Sequence, residues 1–93
     1  MRLSRQEKET IKKAVAEKDP GAVIYLFGSR VDDQARGGDI DIVVLSNHLT
    51  LVDKLSIKAR IFETLEEQKL DMIIARDTKD PFVKSAVERG ARL

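Results

Sequence analysis

Three apolar runs of strand length constrain this chain more than any other feature. They are "AVIYLF" from Ala22 to Phe27, "DIDIVVL" from Asp39 to Leu45 and "LDMIIA" from Leu70 to Ala75. Helical patterns surround them. Ser4 with Glu7 reads as a capping box, and Ile11, Ala14 and Val15 share one face of a helix predicted to reach about Lys18. That helix should stop at the turn signal Asp19-Pro20-Gly21. Gly28 and Ser29 break the first apolar run, and Ser29 is suited to cap a short helix through about Ala35 before a Gly37-Gly38 turn. Ser46 to Thr50 reads as a loop whose last residue caps another helix. Leu51, Leu55, Ala59 and Phe62 lie along one face of it, widened by Val52, Ile61 and Leu65. That face is expected to be chiefly core, with Ile57 and Ile61 the residues in excess of what one small sheet covers, and an exposed remainder would mark a partner surface. A final helix is predicted with Asp80 as N-cap, Pro81 in its first position, Phe82, Val83, Ala86 and Val87 buried, and Gly90 as its stop. The order α-β-α-β-α-β-α describes a two-layer α+β or α/β sandwich, with strand order left open.

The 93 residues are expected to form one domain, 1–93. With 42% hydrophobic and 35% charged residues, the chain has enough apolar side chain for one modest core and a well-solvated surface. Lys plus Arg is 17 against 16 for Asp plus Glu, so there is no strong nucleic-acid signal in the net charge of +1. The absence of cysteine excludes disulfides and thiolate metal sites and fits a reducing cytosol. The opening "MRLSRQEKET" has no apolar core of the kind a signal peptide needs, and no apolar run approaches membrane-spanning length. A cytoplasmic protein is expected.

Asp39 and Asp41 stand at the head of an apolar run, although Asp is depleted from strands and an unpaired buried carboxylate is costly. Alternation puts both on one face, roughly 7 Å apart along the strand. Asp71 repeats the pattern at the head of the third run. If the second and third strands are neighbours, three carboxylates converge at one sheet edge, and hard oxygen donors in that number suit Mg²⁺. Taken alone, Asp71 reads first as a turn cap, and a fair alternative for the pair is two solvated residues ahead of a strand starting at Ile42. The upstream segment shifts the balance. Gly28-Ser29 directly follows a strand, where Gly admits close backbone approach, helix amides attract an anion, and Arg30 adds a charged fork.

Strand, Gly28-Ser29, short helix, Asp39-x-Asp41 strand and a later strand bearing Asp71 together resemble the minimal nucleotidyltransferases of the DNA polymerase beta superfamily. The resemblance spans about residues 22 to 75 and implies a two-layer α+β nucleotidyltransferase-type sandwich, with a mixed sheet of three or more strands packed on helices. It implies that Asp39, Asp41 and Asp71 ligate two Mg²⁺ ions, and that Gly28, Ser29 and Arg30 contact a nucleoside triphosphate. An acceptor hydroxyl would then attack the α-phosphorus, with pyrophosphate leaving. The base is open, with ATP favoured. Small family members pair with a helical HEPN-type protein as antitoxin and toxin, so that partner is implied here, as is the alternative of a non-catalytic docking module; a homo-oligomer also remains open. The chain departs from the family pattern in having "VDD" (Val31 to Asp33) where Arg-Gly is common, and Gly38 where Ser is common before the Asp pair.

Among the lesser candidates, Asp32 and Asp33 read as solvated, and Arg36 serves equally as a phosphate contact or as their surface partner. His48 lies in a polar loop, and Tyr25 reads as core. "DIDIV" also meets the Asp-x-Asp signature of haloacid-dehalogenase-like phosphatases, but there the pair follows its strand, whereas here it precedes one.

Overall fold

The computed structural model describes residues 3–31, 39–65 and 69–93. Helix α1 (Arg5–Lys18) opens on the expected capping box: Glu7 N–H donates to Ser4 Oγ at 3.0 Å and Ser4 N–H to Glu7 Oε1 at 2.9 Å. Strand β1 (Val23–Phe27) runs into a 3-10 turn over Gly28–Val31, tighter than the α-helical turn expected there. Strand β2 (Ile40–Leu45) leads to α2 (Leu51–Thr64), which is capped reciprocally by Thr50 and Asp53. Strand β3 (Leu70–Ala75) precedes α3 (Pro81–Arg89), where Asp80 Oδ1 accepts from the amides of Phe82 and Val83 at 2.8 and 3.2 Å. A two-residue strand β4 (Ala91–Arg92) follows at once. Among the described residues, no helix is long and apolar enough to cross a membrane.

The sheet order is β3-β2-β1-β4, with β2 and β3 parallel and β1 antiparallel to both β2 and β4. The fold is thus α+β with a mixed sheet. Even-numbered residues of the strands (Ile24, Leu26, Ile40, Ile42, Val44, Leu70 and Met72) meet Ile11, Ala14 and Val15 of α1 and Ile57 and Ile61 of α2 in the main core. Helix α3 packs on β1 and β2 from the other face, with the Phe82 and Phe27 rings perpendicular and their centroids 5.7 Å apart. Val43, Val83 and Ala86 are buried outside the main cluster.

Strand β4 was not expected. Two residues carry no periodicity, and Gly90 reads as a simple stop. In fact Gly90 has an extended backbone (φ −85°, ψ −178°), and a Cβ there would run into the carbonyl oxygens of Ala86 and Leu26. Its bare backbone lets the chain leave α3 directly onto the edge of β1.

Helix α2 reverses its predicted face. Ile57, Ile61 and Leu65 are buried, whereas Leu51 and Val52 are 71% exposed, Leu55 is 60% exposed, and Ala59 and Phe62 also face outward. The two stripes both recur at helical spacing, so periodicity cannot choose between them; packing against α1 selects the isoleucines. Phe82, expected in the core, is 57% exposed, and Val87 is only half-buried. Ile61→Ala is therefore expected to lower stability by about 2–5 kcal/mol, whereas Leu55→Ala should change it by less than about 0.5 kcal/mol. Urea denaturation of the two variants checks the assignment, and equal losses would contradict it.

At the end of the sheet where β1 begins and β2 ends, Asp19 and Ser46 tie the chain together. Ser46 Oγ donates to Asp19 Oδ2 at 2.6 Å, and Gly21 N–H donates to Asp19 Oδ1 at 2.9 Å. The Ser46 hydrogen bond, then that from Gly21, holds the Asp19 carboxyl below the usual carboxylate range. Among the described residues no buried side-chain polar atom lacks a partner.

Candidate active site

Parallel pairing of β2 with β3 sets Ile40 opposite Leu70, Asp41 opposite Asp71 and Ile42 opposite Met72. Paired residues share a face, so the isoleucines, Leu70 and Met72 enter the main core while the two carboxylates emerge side by side on the α3 face. The antiparallel pairing with β1 adds Phe27 opposite Asp41. Gly28 follows immediately, with φ +77°, and a Cβ on it would stand 2.5 Å from Asp41 Oδ2 and 3.3 Å from Cγ. Glycine serves twice here: it tolerates the left-handed backbone and leaves space for the carboxylate.

Asp39 and Lys69 occupy the positions just before β2 and β3. Ile40 N–H donates to the Lys69 carbonyl at 3.0 Å, and Lys69 Nζ lies 3.5 Å from Asp39 Oδ2. Among the described residues, Asp39 and Asp71 add negative charge beside Asp41 and Lys69 adds positive charge. Burial pushes the Asp41 carboxyl above its ordinary range, and the charges of Asp71 and Asp39 push it further; Lys69 pulls the other way. Lys69 was missed in the sequence, although alternation carried back two residues from Asp71 leads to it. Both members of the Asp39–Lys69 pair are substantially exposed, and such pairs contribute about 0–1 kcal/mol, little enough to be exchanged for a stronger cation.

Among the described residues, no three carboxylate or imidazole groups stand ready-arranged around one metal ion. The geometry accounts for this in part, since Asp39 is turned to Lys69. The donor chemistry nevertheless fits a hard divalent cation: Asp41 and Asp71 are adjacent oxygen donors whose mutual repulsion a cation would relieve, and Asp39 is within electrostatic reach.

Ser29 and Arg30 follow Gly28 within the 3-10 turn. Arg30 Nη1 lies 3.5 Å from Glu7 Oε1, both side chains being largely buried, so this guanidinium braces the turn against α1. Asp32, Asp33, Arg36, Gly37 and Gly38 lie outside the described residues. His48 is exposed and Tyr25 half-buried. A cavity of about 530 Å³ opens between α1 and α2 among Glu9, Lys13, Arg60 and Glu63, on the side of the sheet away from the carboxylates. A smaller one, about 160 Å³, adjoins Gly28.

Strands bearing paired carboxylates beside a Gly-Ser turn, in a mixed sheet backed by helices, belong to the nucleotidyltransferase fold. The family described as "Polymerase beta, Nucleotidyltransferase" matches residues 9–93, and the chain belongs to that family. Its general chemistry is nucleotidyl transfer. No curated protein matches the chain.

Proposed function

We propose that the protein transfers a nucleoside monophosphate, AMP from ATP, to a hydroxyl on a partner protein in the cytoplasm, with Asp39, Asp41 and Asp71 as its catalytic carboxylates. The observation that carries this reading is the in-register Asp41–Asp71 pair, with Asp41 lying against the bare backbone of Gly28. Asp39, Asp41 and Asp71 would hold two Mg²⁺ ions. Bound there, the ions would lower the pKa of the acceptor hydroxyl and offset charge on the leaving pyrophosphate. Gly28 and Ser29 offer main-chain amides to the phosphate tail, and Arg30 stiffens the turn that presents them. The acceptor oxygen forms a bond to the α-phosphorus as the bridging bond to the β-phosphate breaks, and the hydroxyl proton passes to the carboxylate cluster. Lys69 would release Asp39 when the cation binds.

The exposed stripe Leu51, Val52 and Leu55 on α2 supports a protein partner, which we infer to be a helical HEPN-type toxin for which this chain is the antitoxin. The same stripe favours a second reading, in which the chain only docks. Incubation with Mg²⁺ and α-labelled ATP, with and without a co-expressed HEPN protein, separates the two. Transfer of label to that protein, lost in Asp39→Asn, supports catalysis. Complex formation without label in either protein supports docking alone.

A further inference from the structure

Helix α3 supplies one wall of a cavity that the chemistry described so far leaves unused. Phe82, Ser85, Ala86 and Arg89, spaced as one helical face, oppose Phe27 and Gly28 around about 160 Å³. Phe82 is 57% exposed although its ring lies perpendicular to that of Phe27, with centroids 5.7 Å apart. That exposure leaves flat apolar ring surface open to a ligand. The cavity borders the carboxylate site, because Gly28 lines it and also abuts Asp41 Oδ2. Its size excludes a whole substrate, since sites enclosing drug-sized ligands run to ~300–1,000 Å³. It suits one flat heterocycle whose remaining atoms extend over Gly28.

We propose that this cavity is the base subsite, in which Phe82 stacks on the nucleobase and Arg89 closes the opposite side with its planar cation. The inference rests on the nucleotidyltransferase reading above and adds a substrate preference to it. Stacking on a phenyl ring accepts any base but grows with ring area, so purine nucleoside triphosphates are favoured over pyrimidine ones. A guanidinium stacks on an aromatic face in the same manner.

Calorimetric titration with a non-hydrolysable ATP analogue, its CTP counterpart and inorganic tripolyphosphate, each with Mg²⁺, tests the assignment. The wild type is expected to bind the ATP analogue more tightly than the CTP analogue and tripolyphosphate. Phe82→Ala should weaken the ATP analogue at least about fivefold, leave tripolyphosphate unchanged and abolish the purine preference. Phe82→Trp should retain that preference, and Phe62→Ala on α2 should bind like wild type. Equal affinity of the wild type for the ATP analogue and tripolyphosphate overturns the base subsite while sparing the nucleotidyltransferase reading. An equal loss for both ligands in Phe82→Ala does the same. Failure of the wild type to bind any of the three ligands removes that reading, and the subsite with it.

Discussion

Asp41→Asn is expected to produce a protein that is harder to unfold and incapable of transfer. The Asp41 carboxyl is pushed up by burial, then by the charges of Asp71 and Asp39. A carboxyl whose pKa is raised on folding binds protons more tightly in the native than in the unfolded chain. In metal-free protein, stability therefore falls as pH rises from the unfolded value of about 3.9 through the raised native one, and it stays lower at neutral pH. An amide in the same place removes that penalty. We expect a higher melting temperature for Asp41→Asn at pH 7 and a weaker decline between mildly acidic and neutral pH. Mg²⁺ should raise the melting temperature of the wild type, because it binds only where the carboxylates are assembled, and should do little for the variant. Transfer should drop roughly 10³-fold or more, the equivalent of losing several kcal/mol of charge stabilisation. Thermal scans with and without Mg²⁺, beside the labelled-ATP assay, check all of this. A variant no more stable than wild type would show that the acidic cluster is not under strain.

Gly28→Ala should be nearly as damaging by another route. Alanine at φ +77° costs about 1–2 kcal/mol in backbone energy alone, and its Cβ would lie 2.5 Å from Asp41 Oδ2. Either the turn or the carboxylate must move. Total destabilisation of about 1–3 kcal/mol is expected, together with loss of Mg²⁺-dependent nucleotide binding in the molecules that still fold. Gly21→Ala is the matched control. Its nearest neighbour would be Asp19 Oδ1 at an ordinary 3.5 Å, and its backbone is outside the left-handed region, so a change below about 0.5 kcal/mol is expected. Urea titration of both variants decides. If Gly28→Ala matches the control and still binds nucleotide, Gly28 is not the close-approach residue described here.

Much of this architecture was legible because its signals are local. The reciprocal bonds of Ser4 with Glu7, the Thr50 cap and the Asp80-Pro81 start each need only a few consecutive residues, and each lies where the sequence puts it. Alternation in "DIDIVV" separates carboxylates from isoleucines without knowledge of neighbours. The parallel alignment that sets Asp41 against Asp71 is not local, and it entered only as a condition on strand order. Helix α2 was misread because apolar residues lie on most of its circumference, and the choice of Ile57 and Ile61 over Leu51 and Leu55 depends on α1. Phe82 was misread likewise: beside Val83 it looks like core, but α3 turns Val83 and Ala86 inward and leaves Phe82 57% exposed. Lys69 escaped notice because it precedes the apolar run and meets Asp39 only through the pairing of two strands.

The β2–β3 pairing links quality of folding to function. Sliding β3 by a single residue would turn Asp71 into the hydrocarbon interior and bring Leu70 or Met72 to the acidic edge. Such a molecule would lose its core and its acidic pair together. A slip by one residue is thus penalised twice, once in the hydrophobic interior and once at the acidic edge.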